Sequence, residues 1–314
     1  MSNENPVYKN LVFRGGGVKG IAYAGVLEAL DAHGMYDSIT RVGGTSAGAI
    51  TSLLIGLRYE PKDIMEILSS TSFKDFMDKP NPLRIASKYG YYKGEFALEW
   101  LKEKVAKSPL NLTEDATFAD LKAAGGRDTF LFATNVNRQT IEELSDRKTP
   151  NTQIAEAARA SMSIPLFFDA FKFSVGELTE DLYVDGGMVY NYPMSVFDEP
   201  EFLPTGLQST VNPETLGFYF KPAPGTPPTY HPFGYDHLIK FIANNFETIL
   251  SAQVLDFHMD PSDVTRTVMV SDCHVKATDF DLTQAQQDAL VKAGKDAVNE
   301  FLQTRTGTSK PVQA

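Results

Sequence analysis

Three times in this chain a short apolar run stops at a cluster of glycines that carries a chemically useful side chain. The first run, NLVFR at residues 10–14, ends at Gly15-Gly16-Gly17 and gives way to the helix-periodic stretch IAYAGVLEALDAHG, closed by Gly34. The second, SITRVG at 38–43, breaks at Gly43-Gly44 before AGAITSLLIGL, which reads as a buried helix. The third, residues 182–184, leads into Asp185-Gly186-Gly187. Strand, tight turn and helix in repetition specify an α/β fold with a mostly parallel central sheet and helices on both faces. Functional residues in such a sheet gather at the strand C-termini.

The rest of the chain fits this plan. Pro61 opens a helix over PKDIMEILSS, where its missing N–H costs nothing. The spacing of Phe96, Leu98, Trp100, Leu101 and Val105 predicts an amphipathic helix over 95–107. A strand is expected at 129–136, a helix at 151–162, and short strands at 171–175 and 182–184. Seven prolines between Pro200 and His237 predict one long irregular segment, of the kind that often forms a lid or insertion. An amphipathic stretch at 237–255, a strand at 265–270 and a helix at 283–302, capped by Thr283 with Gln286, complete a single domain over 1–314.

With 314 residues and 42% hydrophobic content the chain can bury a substantial core. Its net charge of −11 and lack of any Lys/Arg cluster argue against a nucleic-acid partner. Simple adsorption to anionic lipid is disfavoured for the same reason, so any membrane contact is peripheral, local and apolar. Cys273 is the only cysteine, which excludes an intrachain disulfide. The start MSNENPVYKN has no secretory pattern and no apolar run is long enough to span a bilayer. A cytoplasmic protein is expected, although an effector exported by dedicated machinery reads identically.

Gly44-Thr45-Ser46-Ala47-Gly48 matches G-x-S-x-G between strand and helix, the context in which a nucleophilic serine sits on a strained turn. Gly44 and Gly48 clear space, and the helix starting near Ala47 aims its amides at an oxyanion formed at Ser46. A glycine-rich turn with an N-cap serine has the same letters. Gly15-Gly16-Gly17-Val18-Lys19-Gly20 can converge its amides on a negative charge. It also satisfies the dinucleotide pattern G-x-G-x-x-G, but the second strand ends in Ser46 rather than the acidic residue that a ribose needs. Asp185 before two glycines suits an ordinary turn, and equally a carboxylate at the top of the sheet that could take the serine proton.

These motifs, in this order, resemble the patatin-like phospholipase family: a G-G-G-x-[RK]-G loop with Lys19 and Gly20, the elbow Gly44 to Gly48, and a later D-G-[GA]. The segments GYYKGEFALEWL, AARASMSIPLFF, Asn191 with Pro193, and DFDLTQAQQDALVKAGKDAVNEFL extend the resemblance over nearly the whole chain. It implies a three-layer patatin-like fold and a catalytic dyad of Ser46 and Asp185. It also implies an oxyanion hole from Gly15, Gly16, Gly17 and Ala47, supported by the motif glycines Gly186 and Gly187. Phospholipid or another acyl lipid is the implied substrate, with no cofactor and no metal, and any protein activator is unspecified. Departures are Arg14 before the glycine loop and Phe168-Asp169 where F-x-P is frequent, which makes Asp169 a second carboxylate to consider.

A transacylase would use the same serine with an alcohol in place of water. A nucleotide-binding module would treat the glycine loop as a phosphate cradle. The five histidines show no metal-ligand spacing, and His274 is the one best placed to extend the pair to a triad. Ser161 and Ser163 lack a glycine elbow and are expected to cap or pack. Tyr89, Tyr91, Tyr92, Phe167, Phe168 and Phe171, together with Tyr230, Phe233 and Tyr235, are the aromatics expected to bring lipid to the site.

Overall fold

The computed structural model describes residues 7–223, 237–257 and 261–305. In chain order the elements are β1 (Asn10–Phe13), α1 (Ala22–Ala32), β2 (Arg41–Thr45), α2 (Ala47–Gly56), α3 (Pro61–Ser70), α4 (Arg84–Lys88), β3 (Gly90–Tyr92), α5 (Glu95–Ala106) and α6 (Phe118–Ala123). There follow β4 (Asp128–Asn135), β5 (Thr140–Leu144), α7 (Ile154–Ser161), β6 (Leu166–Phe168), β7 (Tyr183–Asp185), β8 (Thr215–Lys221), α8 (Leu238–Phe257), α9 (Pro261–Thr265), β9 (Thr267–Ser271) and α10 (Gln284–Arg305).

The central sheet runs β5-β4-β2-β1-β8-β9, with β7 added alongside β4. The β1–β2, β2–β4, β1–β8 and β8–β9 pairs are parallel, and β5 and β7 are antiparallel to β4. β1 is the switch point, because the chain leaves it toward β2 on one side and returns as β8 on the other. Ligands in open α/β sheets bind at such a point, outside the strand C-termini, which here carry the first two glycine turns.

Alternation along β1 divides the core. Leu11 and Phe13 join the large helical cluster on one face, with Phe13 stacked on Phe218 at 5.0 Å. Val12 points to the opposite face and packs with Phe130, Phe132, Met194, Val196 and Phe197. That second face is covered by short 3-10 helices at Met194–Asp198 and Pro200–Phe202, which completes three layers. Every residue of α2 is buried, as its unbroken apolar pattern demands.

Register explains how residues 139 positions apart come together. Thr45, the last residue of β2, lies opposite Phe132, and Asp185, the last of β7, lies opposite Ala133. Consecutive residues of β4 thus act as the ruler that sets Ser46 beside Asp185.

Three expectations are corrected. The span 200–237 is not one irregular segment, since TLGFYFK forms β8 in the middle of the sheet, next to β1. The expected strand at 171–175 amounts to a single bridge between Phe171 and Tyr183. In α5 the buried face is Ala97, Trp100, Leu101 and Val105, while Phe96 is 43% exposed. Tyr230, Phe233 and Tyr235 lie outside the described residues.

Candidate active site

Ser46 stands between β2 and α2 with φ +55° and ψ −122°, a strained backbone for a residue with a side chain. Crowding imposes the turn. A Cβ on Gly44 would lie 2.3 Å from the carbonyl oxygen of Gly48, and one on Gly48 would lie 2.2 Å from that of Phe13. The strain is held in place from behind, because the Ser46 amide donates to Ser161 Oγ at 3.0 Å, whose hydroxyl donates in turn to the Phe132 carbonyl at 2.6 Å.

Ser46 Oγ donates to Asp185 Oδ2 at 2.7 Å, and Gly187 N–H donates to Asp185 Oδ1 at 2.7 Å. The strand end that carries the carboxylate is fixed by Asp185 N–H to the Ser163 carbonyl at 2.7 Å and Thr134 Oγ1 to the Asp185 carbonyl at 3.0 Å. Asp185 is fully buried, and burial pushes its carboxyl up to about 7, against the lowering effect of the Ser46 and Gly187 hydrogen bonds. A carboxylate at that value takes a proton readily near neutral pH, as a general base requires. No imidazole lies between serine and carboxylate.

The glycine loop approaches from β1. Gly17 has φ +55°, and a Cβ there would lie 1.9 Å from the Ala277 carbonyl oxygen, so the position tolerates only glycine. Gly17, Ser46 and Ala47 line one cavity. No acceptor among the described residues takes the amides of Gly16, Gly17 or Ala47. Gly15 differs from the expectation placed on it: its N–H donates to the Asn191 carbonyl at 3.0 Å and is spent on holding the loop. Asn191 Nδ2 returns a bond to the Gly15 carbonyl at 3.3 Å.

Lys19 does not reach the Ser46 cavity. It lines a separate pocket of about 150 Å³ with Arg14, Glu247, Asp272 and His274, and burial lowers its pKa despite the attraction of Glu247. Asp169 is engaged by Arg84 in an ion pair. Gly20 packs against Ala47 and Gly186 against the Phe132 carbonyl, each at a distance that leaves no room for a Cβ. Phe167 and Phe168 are buried at 3% and 1% exposure rather than offered to lipid, whereas Tyr89 is 55% exposed.

Apart from Thr51, the remaining walls of the cavity are apolar, with Leu68, Phe73, Phe76, Met162, Phe168 and Phe280 the largest side chains. Of these only Phe168 had drawn notice in the sequence. Ala277, on the loop between β9 and α10, lay in none of the motifs, and Phe280 on the same loop only within the quoted segment DFDLTQAQQDALVKAGKDAVNEFL. That loop is bound to the glycine loop by Val18 N–H to the Ala277 carbonyl at 3.0 Å.

A buried serine and aspartate thus stand in direct contact at the switch point of a mostly parallel sheet, beneath a glycine loop. The patatin-like phospholipase model matches residues 11–198, more than half of the chain, and the chain belongs to that family. Membership supports lipid hydrolase activity. Uncharacterized protein YqhO of Bacillus subtilis is 29% identical over 315 residues, covering 96% of this chain and 100% of that one. Probable lipid hydrolase 463L of invertebrate iridescent virus 6 is 23% identical over 193 residues, with 60% of this chain and 63% of the viral protein covered. Among solved structures, VipD from Legionella pneumophila superposes with a TM-score of 0.58 at 18% identity, over 95% of this chain and 67% of VipD. ExoU, in its complex with SpcU from Pseudomonas aeruginosa, gives 0.52 at 19% identity, over 96% of this chain and 53% of that one. These two likenesses show the shared fold. Among the described residues no helix is long and apolar enough to cross a membrane.

Proposed function

We propose that this chain is a single catalytic unit that hydrolyses fatty acyl esters of glycerophospholipids or lysophospholipids through an acyl-enzyme on Ser46. The observation that carries the reading is the 2.7 Å hydrogen bond from Ser46 Oγ to a buried Asp185 carboxylate, made from a strained elbow. Asp185 takes the hydroxyl proton as Ser46 Oγ bonds to the ester carbonyl carbon. The carbonyl oxygen becomes an oxyanion facing the amides of Gly16, Gly17 and Ala47 and the positive end of α2. As the tetrahedral species collapses, the carbon–oxygen bond to the alcohol breaks and Asp185 returns its proton to the departing oxygen. Water then attacks the acyl-enzyme, losing a proton to Asp185, and the fatty acid leaves with Ser46 reprotonated. The apolar cavity walls support a hydrocarbon acyl group, and peripheral contact with a membrane supplies the lipid.

The test is labelling by a fluorophosphonate of wild type beside Ser46→Ala, with ester hydrolysis measured on both. Labelling and activity lost together in a folded variant support the reading, and activity retained beyond a trace would sink it. Product analysis with a competing alcohol then separates hydrolysis from acyl transfer.

A further inference from the structure

The cavity beside Ser46 measures about 30 Å³. A benzene-sized guest occupies a cavity of roughly 150 Å³. A fatty acyl chain therefore cannot enter until a wall moves. One wall is the ring of Phe280, which stacks on Phe167 with centroids 5.2 Å apart and planes 15° from parallel, and meets Phe168 edge-on at 6.2 Å. Phe167 in turn lines a second, larger space of about 460 Å³, with Met77, Tyr92 and Ile239 forming its apolar side and Lys240, Asn244, Lys276 and Asp279 its polar rim. The stacked pair stands between the two: Phe280 faces the serine and Phe167 faces the groove.

The backbone around Phe280 is tethered. The Ala277 carbonyl accepts from Val18 of the glycine loop at 3.0 Å, and Phe280 N–H donates to the Thr278 carbonyl at 3.0 Å. Movement that widens the cavity falls on the side chain, since shifting the loop would break its bond to the glycine loop.

We infer that Phe280 sets the acyl-chain length the site accepts. With its ring on Phe167 the cavity takes only short acyl groups. With the ring turned away, the cavity and the groove join into one path, along whose apolar side, formed by Met77, Tyr92, Phe167 and Ile239, a fatty chain can lie. This inference rests on Ser46 being the nucleophile, and the experiment separates the two.

The full-length protein is treated with a short-chain and a dodecyl-chain fluorophosphonate, both below micelle-forming concentrations, and the labelling rate at Ser46 is followed by intact mass. The readout is the long-to-short ratio within each protein, so a general loss of reactivity cancels. Phe280→Ala should raise that ratio about tenfold or more, because each added buried methylene strengthens binding several-fold. Phe280→Trp should lower it, and Phe280→Leu, which keeps more of the packing, should raise it less than the alanine change. Ratios equal to wild type in all variants that fold would overturn the inference and leave Phe280 as core packing. Absence of labelling at Ser46 in wild type by either reagent would instead overturn the assignment of the nucleophile, and this inference with it.

Discussion

Ser161 Oγ sits directly behind Ser46, accepting its amide hydrogen at 3.0 Å while donating to the Phe132 carbonyl on β4. A strained φ of +55° persists only where its surroundings hold it, and this relay ties the elbow to the sheet. Ser161→Ala leaves one buried donor and one buried acceptor without partners, a cost of about 1–3 kcal/mol. The serine would also sit less accurately against the ester, lowering kcat by about 10- to 100-fold with little change in KM. Thermal melting and steady-state kinetics on a soluble ester check both. A change in KM alone would mean that Ser161 shapes the cavity instead.

The pH profile should report Asp185. A base with its carboxyl near 7 is inactive when protonated, so kcat/KM should rise with pH around a midpoint of about 7 and level off above it. Asp185→Asn removes the acceptor, and activity should fall by about 100- to 10,000-fold at every pH. A wild-type profile flat from pH 5 to 9 would contradict Asp185 as the base.

The same shift fixes a sign for stability. The native carboxyl binds its proton more tightly than the unfolded one, whose ordinary value is 3.8, so folding stability declines as pH rises from there through about 7. Asp185→Asn escapes that decline. It should be more stable than wild type above pH 7, by up to about 4 kcal/mol, and the gain should vanish below pH 4. Denaturant melts at pH 4 and pH 8 give the comparison.

Gly17→Ala places a methyl against the Ala277 carbonyl at a positive φ, so the glycine loop must shift. The loss of an oxyanion donor is expected to cost about 100- to 1,000-fold in rate. If kcat stays within a fewfold of wild type, the oxyanion is held elsewhere.

Lipid access is expected to use exposed apolar side chains rather than charge. Leu83 and Tyr89, at the two ends of α4, are 80% and 55% exposed. Changing both to glutamate should reduce turnover on phospholipid vesicles well below wild type while a soluble short-chain ester is hydrolysed as before. Equal losses on both substrates would tie α4 to the fold rather than to the membrane.

The two glycine turns and the helices after them were legible because an apolar run that halts at glycine leaves a local mark. Ser46 and Asp185 shared that advantage, and the capping pair of Thr283 and Gln286 at the start of α10 forms as its spacing predicts. β8 was hidden because Pro213 and Pro222 bracket it and more prolines follow, so composition outweighed the apolar run TLGFYFK. β5, TIEEL, lies at the edge of the sheet and is largely polar, so it has no apolar run to detect. Ser161 holds Ser46, Ala277 holds Val18 and Phe280 stacks on Phe167, each pair far apart along the chain, and such contacts leave no local pattern.

The pairing of β1 with β8 bears on where this catalytic unit can be cut. Asn10 to Phe13 match Thr215 to Phe218 residue for residue, and the family-matched stretch stops earlier, at residue 198. A fragment ending there would leave the strand behind the glycine loop as a bare flank of unpaired amides and carbonyls, open to pairing with another molecule. It would also lack Ala277, which holds Val18 in place. Both serine and aspartate would be present in such a fragment, yet it should aggregate rather than turn over substrate.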